Sequence, residues 1–282
     1  MARVVTLPGV PAIAYEFPYA FLSFIVFAIG AVVGSFLNVV IHRYPREESV
    51  VFPHSRCPHC HALIRWHDNV PILGYLWLGG RCRDCRAAIS PRYPLVELAN
   101  ALFYLAVFER TGLSLTFVPI AALVSMTIVL IFIDAEIQIL PNVITYPGIV
   151  VGLAIGFLPP FDDSMMTADS LLASAIGAAV GAGFLLFVAL AYKLVRRIEG
   201  MGFGDVKMMA MVGAALGWEG VFLVILVGSI IGTVIGVPVA LRTEKRMQYP
   251  LPFGVFLGLG TLVILFFGRG LEAAWAALLV PR

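Results

Sequence analysis

The chain has 282 residues, 60% of them hydrophobic and only 13% charged, with a mean hydropathy of +0.96. Soluble domains carry about 25% charged residues, so a soluble enzyme or a free binding module is excluded and an all-α polytopic membrane protein is expected. The net charge of +2 says little about partners, and no nucleic-acid partner is expected; where the charges sit is more informative than their sum.

Residues 1–18 read as a short irregular leader, held out of the membrane by Glu16 and Pro18. A first membrane helix is expected over 19–41. It is long enough to span and is read as retained rather than cleaved. Its end carries Gly34, Ser35 and Asn38, which suit close helix contact. Residues 42–94 turn polar and hold all five histidines and all four cysteines; they are read as one small soluble domain. Seven more apolar runs follow near 95–108, 115–133, 143–158, 171–195, 206–216, 221–241 and 252–267. Eight spans are therefore expected, although the 95–108 and 206–216 runs are short for a span of about 20 residues. Glu97 and Asn100, or half-helices lining a cavity, would account for that. Residues 270–282 read as an interfacial helix anchored by Trp275. Gly148, Gly152 and Gly156, like Gly177 and Gly181, recur at four-residue spacing and are expected to be helix-packing faces, not phosphate loops.

Lys and Arg mark the cytoplasmic side of short loops. They cluster from Arg43 to Arg92, at Lys193, Arg196 and Arg197, and at Arg242, Lys245 and Arg246. The alternate loops hold Glu109-Arg110, Asp162-Asp163 and Glu219. The cysteine segment is then cytoplasmic and both termini face away from the cytoplasm.

Two Cys-x-x-Cys pairs, Cys57/Cys60 and Cys82/Cys85, stand about twenty residues apart, a zinc-ribbon spacing. Four thiolates close a tetrahedral site with no open position, so a structural Zn2+ is expected. The segment has too little apolar content to fold without a staple. Disulfides are the alternative, and a reducing cytoplasm argues against them.

Asp205, in Gly202-Phe203-Gly204-Asp205-Val206-Lys207, opens an apolar run; Asp134 closes another. Ionisable groups at that depth are costly and suggest function. An N-cap would equally explain Asp205 alone. With the orientation above, both carboxylates fall near the cytoplasmic face, on separate helices. That is the arrangement an aspartic protease requires. Lys207 reads either as a tuner of a neighbouring carboxylate or as a side chain snorkelling to the interface. Glu136 reads either as a contact for a basic substrate segment or as a solvated loop charge.

Several further motifs accompany these: Gly34-Ser35-Phe36-Leu37-Asn38, Trp66-His67-Asp68-Asn69-Val70-Pro71, Ile89-Ser90-Pro91-Arg92-Tyr93-Pro94 and Leu140-Pro141-Asn142. With both cysteine pairs and both aspartates they resemble, in order and over nearly the whole chain, the bacterial type IV prepilin peptidases. The Gly-x-Gly-Asp element is shared with presenilin-like intramembrane proteases. The resemblance implies a bifunctional inner-membrane enzyme. It would cleave leaders from type IV prepilins and pseudopilins, then N-methylate the new terminal residue with S-adenosylmethionine. It implies Asp134 and Asp205 as the catalytic pair and Cys57, Cys60, Cys82 and Cys85 as zinc ligands. The implied organisation is 1–41 as leader and first helix, 42–94 as a methyltransferase-associated zinc domain, and 95–282 as a seven-helix peptidase domain. Asn142 departs from the family pattern, in which many members carry an aspartate after Leu-Pro. The residues themselves give no S-adenosylmethionine site, since no glycine fingerprint follows a strand. A transporter with buried aspartates and a non-enzymatic scaffold remain the competing classes; the first would often show paired repeats, and the second would tolerate loss of Asp205.

Overall fold

A computed structural model describes residues 19–158, 165–197, 201–242 and 252–279. Among the described residues the chain is helical, with two isolated β-bridges and no named strand. It divides into a unit ending at Ser114 and a unit beginning at Leu115.

In the first unit, α1 (Tyr19–Arg43) packs on α3 (Arg92–Thr111). Small residues set the approach. A side chain at Gly30 would meet Ala101 Cα at 2.8 Å, and one at Gly34 would meet Glu97 Cα at 2.7 Å. Asn100 Nδ2 donates to the Gly30 carbonyl at 2.7 Å, and Asn38 Nδ2 to the Tyr93 carbonyl at 2.9 Å. Buried amides thus take up backbone groups in an apolar setting, where an unmade hydrogen bond is expensive. Between these helices lie a short turn (Trp66–Asn69) and α2 (Leu73–Trp77).

The second unit is built on α7 (Phe203–Arg242), which packs against α5 (Asn142–Phe157), α6 (Leu171–Arg196) and α8 (Phe253–Leu279); α4 (Phe117–Ile137) packs on α5 and α8. The first half of α7 is buried on nearly every side, through Met208, Met209, Met211, Val212, Ala214 and Leu216, as expected of a helix apolar all round. The glycine faces do pack helices. A Cβ at Gly152 would meet Ala214 Cβ at 2.7 Å, and Gly177 and Gly213 each press on the other's carbonyl. The two runs at 206–216 and 221–241 lie in α7 on either side of a break at Gly217 (φ 75°, ψ 176°), a left-handed backbone that suits glycine. The break frees the Ala215 carbonyl, which accepts the Ala168 N–H at 2.9 Å. Ser170 caps α6 by accepting the Ala173 N–H at 3.1 Å.

Among the described residues, five helices are long and apolar enough to cross a membrane: Tyr19–Arg46, Phe117–Ile137, Leu171–Arg196, Phe203–Gly236 and Phe253–Ala273; Asn142–Phe157 is apolar but shorter. The protein is a multi-pass membrane protein, and this measure, applied to the described residues, does not confirm the eight spans expected. The reasons are local: α3 carries Arg92, Glu97, Glu109 and Arg110, α5 has 16 residues, and two expected runs share α7. The 270–282 tail is not a separate interfacial helix as far as it is described, because α8 runs through Gly270 to Leu279. The leader at 1–18, the loop charges Asp162, Asp163, Lys245 and Arg246, and the side chain of Trp275 lie outside the described residues.

Candidate functional site

Asp134 sits in the last turn of α4 and is 5% exposed; Asp205 is the third residue of α7 and is 8% exposed. The fold places the two within electrostatic reach of each other. As the third residue of α7, Asp205 is not the N-cap itself, although its carboxylate faces the Gly202 N–H at the helix start. Its own N–H reaches back to the Gly202 carbonyl at 3.2 Å, which closes the turn into α7.

Asp134 is held by a third helix. Its Oδ2 accepts the Val255 N–H at 3.0 Å, and the Gly254 N–H also faces it. These amides belong to the first turn of α8, where N–H groups have no partner within the helix and the dipole favours negative charge. Gly254 makes that approach possible, since a Cβ there would lie 2.9 Å from Asp134 Oδ2. Leu140 fills the space between the two glycine-bearing helix starts. A Cβ on Gly204 would lie 2.9 Å from Leu140 Cβ, and one on Gly254 would lie 3.1 Å from Leu140 Cδ1. Leu-Pro therefore turns the chain from α4 into α5 and wedges the carboxylate-bearing ends. Reasoning from sequence missed Gly254, Val255 and Leu140 as supports of the site. The signal available was Pro252-Phe253-Gly254, a proline and a small residue at a helix start.

Lys207 neither stands alone nor simply reaches for the interface. It donates to Asn142 Oδ1 and lies over the rings of Phe203 at 5.5 Å and Tyr146 at 5.7 Å. Asn142 thus keeps an acceptor toward Lys207 where an aspartate would have supplied a charge. Glu136 is exposed, the penultimate residue of α4.

In the first unit, the four cysteine sulfurs all lie within 4.8 Å of one another. Cys57 Sγ is 3.7 Å from Cys85 Sγ, and Cys60 Sγ is 4.0 Å from Cys82 Sγ. A tetrahedral Zn2+ with bonds of about 2.3 Å spaces its sulfurs about 3.8 Å apart, so the cluster fits such an ion. The cysteines are free rather than disulfide-bonded. Each pair is shaped by the same turn. His61 N–H returns to the Cys57 carbonyl at 2.9 Å, and Arg86 N–H to the Cys82 carbonyl at 3.0 Å. His61 (φ 56°) and Arg86 (φ 60°) occupy equivalent left-handed positions. Against the effect of burial, backbone hydrogen bonds from Cys60 and His59 bring the Cys57 thiol down to about 6. Despite a hydrogen bond from the Ala62 backbone, desolvation and the neighbouring thiols push Cys60 up to about 12. Crowded thiols without a cation resist joint ionisation, and a bound dication would hold all four as thiolates. Beside the cluster, Asp68 accepts two bonds from Arg83, with Nε at 2.7 Å and Nη2 at 2.5 Å. The guanidinium holds the Asp68 carboxyl below the usual carboxylate range.

Two family models match the chain: the bacterial peptidase A24 N-terminal domain over residues 28–111 and the type IV leader peptidase family over residues 121–237. The chain belongs to the type IV leader peptidase family. One family member, the prepilin leader peptidase/N-methyltransferase of Burkholderia pseudomallei (strain 1026b), is 40% identical over 270 residues, covering 85% of this chain and 84% of its own length. The protein of the same name from Aeromonas hydrophila is 36% identical over 280 residues, covering 91% and 94%. A third, from Myxococcus xanthus (strain DK1622), is 42% identical over 225 residues, covering 78% and 63%. No solved structure matches.

Proposed function

We propose that this family member cleaves prepilin and pseudopilin leaders with an aspartic dyad of Asp134 and Asp205, then N-methylates the exposed terminus. The name shared by relatives over most of the chain supports the two activities. The observation that carries the mechanism is two buried carboxylates on different helices, with Asp134 close enough to act electrostatically on Asp205.

A peptide bond resists water until the water is activated and the carbonyl is polarised. One aspartate takes a proton from water as the oxygen attacks the carbonyl carbon. The other donates a proton to the carbonyl oxygen. When the tetrahedral species collapses, the C–N bond breaks and the leaving amine takes up a proton from the pair. Two adjoining carboxylates favour holding a single proton between them, so base and acid titrate as a pair. The α8 amides and the Leu140 wedge keep Asp134 in place.

Cys57, Cys60, Cys82 and Cys85 would hold a structural Zn2+ that staples the segment and takes no part in the reaction. S-adenosylmethionine would supply the methyl group. Among the described residues there is no strand-to-helix glycine cradle for it, and no residue is assigned to it. The reading includes the organisation into 1–41, 42–94 and 95–282, with eight spans if the α3, α5 and broken α7 segments also cross. It places the enzyme in the bacterial inner membrane with the dyad near the cytoplasmic face. There a basic leader and an apolar pilin helix would meet at the boundary.

The test is a single incubation of the purified chain, in lipid, with a prepilin and methyl-labelled S-adenosylmethionine. Mass spectrometry should show leader loss followed by one added methyl group. An intact prepilin overturns the peptidase reading; leader loss without label overturns the methyltransferase half alone.

A further inference from the structure

Residues 70–78, Val-Pro-Ile-Leu-Gly-Tyr-Leu-Trp-Leu, interrupt the polar cysteine segment; no charge occurs between Asp68 and Arg81. Within this stretch Leu73, Leu76 and Trp77 of α2 are 52%, 64% and 52% exposed. Such a surface on a loop in water would be a liability.

Its depth can be read from its attachment. The Ile72 N–H donates to Glu97 Oε2 at 2.7 Å, and Glu97 is buried in the second turn of α3. Glu97 packs on Gly34, just as Tyr93 pairs with Asn38 and Ala101 with Gly30. The two helices therefore run antiparallel in a fixed register. Gly34 lies about nine residues before Arg43, the end of α1, which at 1.5 Å per residue is roughly 13 Å. Side chains lean toward their helix N-terminus, so Glu97 reaches back part of that distance. Ile72 is thus held at a point inside the end of α1, a helix long and apolar enough to cross a membrane.

The local backbone is suited to such a place. Exposed irregular backbone is not tolerated in lipid unless its polar groups are satisfied. Gly74 N–H bonds to the Val70 carbonyl, Leu76 to Ile72, Leu78 to Gly74, Gly79 to Leu76 and Gly80 to Tyr75. Ile72 adopts φ 62°, a costly conformation for a β-branched residue, and its N–H is the one that Glu97 holds. Gly74 has no room for a side chain against the Asp68 carbonyl, which ties α2 to the Trp66–Asn69 turn.

We propose that residues 70–78 form a re-entrant wedge in the lipid layer, latched by Glu97, with Leu73, Leu76 and Trp77 against acyl chains. The cysteine cluster is thereby seated at the membrane surface and does not swing on a free tether. The test uses the native chain in vesicles containing a phospholipid with a photoactivatable diazirine on its acyl chain, followed by peptide mapping. Adducts are expected within 73–77 as well as on the exposed Phe24 and Phe36 of α1. Labelling of α1 with none on 70–78, or cross-links from 70–78 to another protein chain in place of lipid, overturns the proposal. Glu97→Ala should cause loss of the 73–77 adducts while α1 labelling persists; unchanged labelling at 73–77 overturns the latch.

Discussion

Gly254→Ala tests how tightly α8 supports Asp134. The new Cβ would lie 2.9 Å from Asp134 Oδ2 and 3.0 Å from its Cγ. An ordinary carbon–oxygen contact is about 3.3 Å or longer, so the carboxylate must retreat by roughly 0.4 Å. Leu140 limits the alternatives, because its Cδ1 would already be 3.1 Å from the same Cβ. A displacement of about 1 Å in a reacting group can cost around 100-fold in rate. On a logarithmic scale, about 0.4 Å corresponds to roughly sixfold. The loss should fall on kcat, with KM little changed, because the pilin helix need not contact residue 254. Helix propensity pulls the other way: alanine gains up to about 1 kcal/mol over glycine in a helix interior and less in a first turn. The variant should therefore unfold no more easily than the parent while cleaving more slowly. Prepilin cleavage measured over a substrate series, with thermal unfolding in the same lipid, gives both quantities. Gly183→Ala is the control, since a Cβ there meets nothing within 4 Å. Wild-type kcat in Gly254→Ala would refute the claim that the first turn of α8 positions Asp134.

Elemental analysis should find one zinc per chain, from the single cysteine cluster among the described residues; Cys82→Ser should lower that content markedly, and a metal-free wild type would refute the site. Asp68→Asn should make the cysteine segment more open to protease at neutral pH. Because Arg83 holds the folded Asp68 below its unfolded value, the pair contributes above about pH 3.9 and fades as pH falls through the lower folded value, so the difference from wild type should shrink in acid. Gly177→Val should destabilise the α6–α7 contact by about 3 kcal/mol or more, since its Cβ meets the Gly213 carbonyl; an unchanged melting temperature would contradict that packing.

Much of this was legible because the sequence marks it with residues that have few other uses. Paired cysteines at zinc spacing do come together in one cluster. Glycines at four-residue intervals do face neighbouring helices. An aspartate that closes one apolar run and another that opens a second do lie within electrostatic reach of each other. What was hidden depends on tertiary packing. No local pattern says that α8 begins against Asp134, because Val255 contributes only its backbone. Averaging over 42–94 hid the apolar stretch at 70–78 among charges, so its exposed Leu73, Leu76 and Trp77 drew no separate reading. Against the eight expected spans, five helices among the described residues are long and apolar enough to cross; α3 and α5 fall short of that measure through charge and length, and two expected runs share α7.

Replacing each carboxylate with its amide tests the central claim most directly. Asp134→Asn and Asp205→Asn keep shape and hydrogen-bonding capacity but remove the ionisable group. Each, purified in lipid with unfolding behaviour like the parent's, should leave a prepilin uncut. If either cuts at the parental rate, the two aspartates are not the catalytic pair.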